Sequence, residues 1–427
     1  MLKEHKLKNG LTLITQKLDT SYSTNIGIFI KAGTQNELKD NYGCAHFLEH
    51  MLFKGTHKRT SVEIAEAIDG VGGLINAYTS HEYTGFYTRS LPEDALLSLD
   101  VLYDMITGSL FDPIEIEKEK KVILEEINMY EDDPNSFIVE EFTKHLYEGS
   151  PLGYNILGEK NLLRQVNREI LMEYLETWYQ PENMIMVIAG KIDKELVGMA
   201  ERTFGSIRRN DKLSPEPIQD SQPKVFPIRI YERADVNQVY FIIGQESVGR
   251  THPDYYRAVL LDTIVGASPS SYLFQQVREK LSLCYDISSY TSAFRNTGEF
   301  VIAGGANQEN FPLALKEIHA ILSKIREDGV TEIEFNRAKK QFKSRLVMTA
   351  ESSKNIMFKT ATAYVYFGRY SGVDDAIREV EEIGYHEFNE FVRGFIRLDR
   401  LNVCLLGPKG TKKMKKVWEE INGKSKG

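Results

Sequence analysis

One pattern occurs twice along these 427 residues, and a duplicated plan constrains the architecture before any single residue does. Early in the chain, YTGFYTRSLPEDALLSLDVLYDMITGSLFDPIEIEKEKKVILEEI reads as a strand, a turn at Pro92, an amphipathic helix, a break at Asp112-Pro113 and a second helix. Later, GEFVIAGGANQENFPLALKEIHAILSKIREDGVTEIEFNRAKKQFKSRL repeats the order, with its break at Gly329. The copies also close alike: REILMEYLETWYQPENMIMVIAG and HEFNEFVRGFIRLDRLNVCLLG each give a helix, a turn and an apolar strand.

Between the copies, SIRRNDKLSPEPIQDSQPKVFP carries four prolines among polar residues, which suits an extended linker. The expected division is 1–205, a linker over 206–227, and a homologous domain over 228–427. Strand candidates are LTLITQKL, TNIGIFIKAG and INAYTS in the first copy, and VYFIIGQE and YDISSY in the second. Several follow one another through short turns, which favours antiparallel pairing. The expected fold is α+β: two homologous domains, each a mainly antiparallel sheet flanked by helices.

Composition narrows the function classes. A formal net charge of -8 with interleaved signs offers no broad basic face, so nucleic acid is not expected as a partner. The charged start MLKEHKLKNG does not resemble a secretory signal, and no apolar run approaches a membrane span; a soluble, cytoplasmic protein is expected. Cys44, Cys284 and Cys404 are far apart and odd in number, against a disulfide framework.

In GCAHFLEHMLFKGT, His46 and His50 stand four residues apart and project from one helical face, where two imidazoles can grip one ion. Glu49 beside them can act as general base on a water without being a ligand. H-x-x-E-H is the inverted counterpart of the H-E-x-x-H zinc motif, and such a site needs a third protein ligand. The charged helix EIEKEKKVILEEINMYE offers Glu119 and Glu126 two turns apart on one face, whereas Glu125 points about 100° away. We assign Glu126 as ligand and Glu119 as its support. His81 and Glu82, adjacent on a strand, face opposite sides and are not expected to bind the same metal. A random i, i+4 histidine pair on a helix face is the plain alternative.

At these residues the chain resembles the inverted-zincin peptidases that include pitrilysin, insulin-degrading enzyme and the catalytic subunit of mitochondrial processing peptidase, most of all their short bacterial members. NGLTLI, GTQNE, HFLEHMLFKGT, INAYTSHEYTGFY and EKKVILEEI carry the likeness over most of the first copy. It implies one zinc ion per chain on His46, His50 and Glu126, with Glu49 as base and Glu119 as supporting acid. The second copy has no H-x-x-E-H. Its segment SSYLFQQVREKLSLCYDISSY is similar to the one that supplies an arginine and, seven residues on, a tyrosine to the bound peptide, here Arg278 and Tyr285. Relatives commonly show Arg-Gly where this chain has Leu281-Ser282. The resemblance also implies that INAYTS is an edge strand that pairs with extended peptide, through Asn76, Ala77 and Thr79. It further implies a metalloendopeptidase working as a homodimer around a chamber; a non-catalytic subunit is the alternative.

Overall fold

The computed structural model describes residues 2–37, 41–210 and 221–424. Part of the expected linker, residues 211–220, lies outside the described residues. Two compact units form, and they do not follow chain order throughout. Unit 1 comprises Met1–Asn128, Tyr154–Gln219 and Met348–Gly372; unit 2 comprises Met129–Gly153, Asp220–Val347 and Val373–Gly427.

Unit 1 is built on β1 (Leu2–Lys6), β2 (Thr12–Lys17), β3 (Thr24–Ile30), β4 (Leu74–Thr79), β5 (Thr84–Ser90) and β6 (Met184–Gly190), in sheet order β1-β2-β6-β3-β5-β4. Only β2 and β6 run parallel; the other neighbours are antiparallel. Apolar residues on both faces explain why β3 (TNIGIFI) and β6 (MIMVIAG) are buried throughout and sit centrally. The polar β1 (LKEHK) is left at one edge, and β4 forms the other.

Unit 2 carries β7 (Arg229–Glu232), β8 (Val239–Val248), β9 (Cys284–Ala293), β10 (Thr297–Ala306) and β11 (Asn402–Gly407), ordered β7-β11-β8-β10-β9. Replacing β2, β6, β3, β5 and β4 by these five reproduces the first sheet without β1, including one parallel pair, β7 with β11. The duplication read from the sequence is therefore a duplication of topology.

Each sheet is covered on both faces. In unit 1, helices of the first copy cover one face, where Phe47, Leu48, Leu99, Leu102 and Ile123 are buried with Ile26, Ile28 and Phe86. The other face takes the Ser353–Phe367 helix, which seats Met357, Ala361 and Val365 on Ile14, Phe29 and Val187. In unit 2 the Pro134–Leu146 helix does the same, packing Ile138, Phe142 and Leu146 against Ile242, Val301, Cys404 and Leu406. The residues exchanged between the halves of the sequence are thus the covers of the two sheets.

Candidate metal centre

The motif folds as the Cys44–Met51 helix. Cys44, Ala45, Phe47, Leu48 and Met51 face the core, which turns His46, Glu49 and His50 to the opposite side. Two features set its start. Gly43 has φ +96°, and a Cβ there would lie 2.8 Å from the Cα of Gly158, so glycine is required on both counts. The Glu37 carboxylate accepts from the amides of Gly43 at 2.9 Å and Ala45 at 2.6 Å, doing for the first turn what a capping side chain does. Burial pushes Glu37 up to about 8 despite those two donors. Helical spacing does not announce Glu37, although a lone acid shortly upstream of a glycine-opened helix is a usable signal.

The Pro113–Asp132 helix brings in both glutamates. Glu126 Oε2 lies 3.8 Å from His46 Nε2 and 3.7 Å from His50 Nε2, and the three donor atoms fall within 4.8 Å of one another. Ligands held tetrahedrally at ~2.0–2.2 Å from zinc stand roughly 3.4 Å apart, so this nitrogen-nitrogen-oxygen set fits a zinc ion with little adjustment. Burial, reinforced by the neighbouring His50, pushes the His46 imidazole down to about 3 and keeps the ring neutral, with one nitrogen free of a proton. Among the described residues this is the one such grouping of three or more candidate ligands.

Glu119 is buried and does not join the trio. Its Oε1 lies 2.7 Å from His50 Nδ1 and its Oε2 2.6 Å from Lys54 Nζ. Burial alone would raise Glu119; the hydrogen bonds from His50 and Lys54 outweigh it and hold the carboxyl below its usual range. An ionised Glu119 accepts from Nδ1–H, which leaves the lone pair of His50 on Nε2, toward Glu126.

Glu49 is buried beside the trio, and its Oε2 accepts the Thr79 hydroxyl at 2.6 Å. Burial raises its pKa, while the Thr79 hydrogen bond and His50 pull it down. Thr79 closes β4, whose outer edge has no strand partner among the described residues. Asn76 and Ala77 lie on the same strand, with the Asn76 side chain accepting from the Ala77 amide. His81 and Glu82 stand in the turn between β4 and β5 rather than on a strand, and neither is among the trio; His81 Nδ1 meets the Thr34 hydroxyl at 2.8 Å.

In unit 2, Arg278 lies in a π-helical stretch, Leu273–Lys280, and Tyr285 in β9. The guanidinium sits 4.5 Å over Phe274 and 5.6 Å from the centroid of Tyr285, a residue that is 87% exposed. Both line a cavity of about 420 Å³ with Gln238, Ser282, Asn307 and Asn310. Ser282 takes φ +52°, a left-handed conformation that favours glycine, at the position where the resembled family commonly has one.

The second copy also keeps an echo of the metal helix. Aligning Ala45, Phe47, Leu48 and Met51 with the buried Ala258, Leu260, Leu261 and Ile264 of the Tyr255–Val265 helix puts Asp262 at the place of Glu49. Asp262 accepts the hydroxyl of Ser289 on β9, as Glu49 does that of Thr79 on β4. Val259 and Thr263 then replace the histidines. On the Glu332–Thr349 helix, matching the buried Ile116 with Phe335 sets Ala338 at the place of Glu119 and Arg345 at that of Glu126.

A duplicated α+β chain with one H-x-x-E-H helix, in one copy only, defines the inverted-motif zinc peptidases as a class. The family model described as insulinase (peptidase family M16) matches residues 12–160, and that described as peptidase M16 inactive domain matches residues 165–342. A Bacillus subtilis protein called an uncharacterized zinc protease is 32% identical over 410 residues, covering 96% of this chain and 99% of the relative. One from Rickettsia felis, so named too, is 36% identical over 380 residues, covering 88% and 91%. In structure, a protease from Helicobacter pylori matches with a TM-score of 0.90 at 21% identity over 96% of this chain and all of that one, and a peptidase M16 inactive domain from Pseudomonas fluorescens with 0.88 at 18% over 96% and 98%. The chain belongs to peptidase family M16.

Proposed function

We propose that the protein is a zinc metalloendopeptidase that hydrolyses extended peptides, with zinc held by His46, His50 and Glu126. The observation that carries the reading is the convergence of His46 Nε2, His50 Nε2 and Glu126 Oε2 beside a buried Glu49 that is not itself among them. Zinc at such a site supplies Lewis acidity, which acidifies water and polarises a carbonyl.

Glu49 is the general base. Thr79 occupies its Oε2, which leaves Oε1 to take a proton from the attacking water and hand it to the departing amine. Partial burial, which raises its pKa, suits a group that must carry that proton between the two steps. The unpaired edge of β4, with Asn76, Ala77 and Thr79, lets an extended peptide add as a strand, so affinity comes from the backbone. Arg278 and Tyr285 are the donors we assign to the peptide carbonyl, on the strength of their shared cavity and stacking. In this reading 1–205 and 228–427 are the catalytic and chamber-completing domains of a homodimer. Three buried free thiols suit a reducing, cytoplasmic setting.

The deciding experiment combines metal analysis with cleavage of a quenched peptide library. Wild type should hold one zinc per chain and cleave, while Glu49→Gln should keep the zinc and lose cleavage by about 100-fold or more. A zinc-free wild type, or a Glu49→Gln variant that cleaves normally, overturns the reading. Peptide cleavage tracks the dimer fraction in light scattering if the chamber needs two copies.

A further inference from the structure

Glu119 is nearly closed off from solvent, with 4% of its side chain exposed, so both its oxygens depend on protein donors. One is used by His50 Nδ1 at 2.7 Å and the other by Lys54 Nζ at 2.6 Å. Lys54 leaves the chain just past the C-terminal end of the Cys44–Met51 helix, four residues beyond His50, and reaches over that end to the Pro113–Asp132 helix. From these contacts we infer that Lys54 is a positioning residue for the metal centre, acting through Glu119 to fix the ring of His50. The inference rests on the reading of His46, His50 and Glu126 as the zinc ligands.

The physical reason is geometric. A carboxylate anchored at one oxygen only can swing about its terminal torsion, which is broad and nearly barrier-free. With Lys54 on Oε2, the direction of Oε1 is set, and with it the plane and tautomer of the imidazole whose Nε2 faces Glu126. An ordinary surface ion pair would contribute little and would have no such direction. Here the acid is buried, and the ammonium, 29% exposed, covers it from the solvent side.

The internal duplication supplies an independent observation. In the register that places Asp262 on Glu49, Lys54 falls on Ala267, and in the register of the neighbouring helix Glu119 falls on Ala338. The copy without the histidines thus lacks the lysine and the buried acid together, although it keeps the acid-to-hydroxyl contact of the helix itself. A lysine needed only to close off the helix end would have no reason to vanish with the ligands.

The test measures zinc affinity by competition with a chromogenic chelator, for wild type, Lys54→Met, Lys54→Arg, Glu119→Gln and the Lys54→Met/Glu119→Gln pair, alongside thermal melting of each zinc-free protein. Lys54→Met should weaken zinc binding by about 10- to 100-fold, Lys54→Arg should recover most of that loss, and the pair should bind no worse than Glu119→Gln alone. Lys54→Met leaves the buried Glu119 with one donor and should lower zinc-free melting, so affinities are compared at a temperature at which every zinc-free variant is folded, which separates positioning from general stability. Lys54→Gln gives a second reading should Lys54→Met not fold. Affinity of Lys54→Met within about twofold of wild type, or losses that multiply in the pair, sinks the inference while leaving the ligand set intact. A wild type that binds no zinc sinks the reading of the centre itself.

Discussion

The helices Cys44–Met51 and Tyr255–Val265 occupy the same place in two copies of one topology, and they differ in charge rather than in packing. Both bury Ala, Phe or Leu, Leu, and Met or Ile on the core side, and both present an acid to a hydroxyl on the neighbouring edge strand. What separates them is the set around the acid: His46, His50 and Glu126 in one copy, Val259, Thr263 and Arg345 in the other. The scaffold that aims the site is therefore independent of the site. Arg345 pulls the pKa of Asp262 down against the burial that raises it, so the second copy meets its acid with a fixed cation.

The largest effect should come from writing the second copy's residue into the first. Glu126→Arg should abolish stoichiometric zinc and peptide cleavage, with affinity falling by more than about 100-fold, because the proposed third ligand is replaced by a cation. Metal analysis on protein shown to be folded by circular dichroism decides it; zinc retained by this variant would mean that Glu126 is not a ligand.

A smaller effect tests the two left-handed positions. Gly43→Ala should destabilise by about 2 kcal/mol or more, from the φ penalty and the close approach of Gly158, whereas Ser282→Gly should relieve strain and gain up to about 1 kcal/mol. Thermal melting checks both signs, and a stabilised Gly43→Ala or a destabilised Ser282→Gly contradicts the backbone argument.

The mildest test uses pH. Burial raises Asp262 to about 6 from 3.8, so below pH 3.8 both folded and unfolded chains hold the proton and the group's contribution to stability is fully present. That contribution is lost as pH rises toward about 6, because the unfolded chain releases the proton first. Unfolding midpoints measured between those limits should flatten in Asp262→Asn, while cleavage at neutral pH stays as in wild type. An unchanged slope counts against a buried, protonatable Asp262.

How much of this was legible beforehand depends on range along the chain. His46, Glu49 and His50 lie on one helix, and Glu119 and Glu126 on another, so helical period alone brought each set to one face, and the structure brings the faces together. The duplicated plan and the mainly antiparallel pairing are readable because each copy repeats the other, whereas the order of strands within each sheet comes from the structure. Glu37 and Lys54 escaped notice because their partners, backbone amides in one case and a buried carboxylate 65 positions away in the other, leave no periodic trace. The exchange of 129–153 for 348–372 was also invisible: an amphipathic helix declares that it will be covered, not which sheet it will cover.

That exchange has a consequence during synthesis. The first sheet is complete once β6 has been made, but the helix that shields its second face ends only at Phe367. At ~5–20 residues per second, Ile14, Phe29 and Val187 wait roughly 10–30 s after the first copy has left the ribosome before their cover arrives. For that interval the nascent chain carries an open apolar sheet face, a natural landing place for a chaperone, and a message truncated at the linker would leave it open for good.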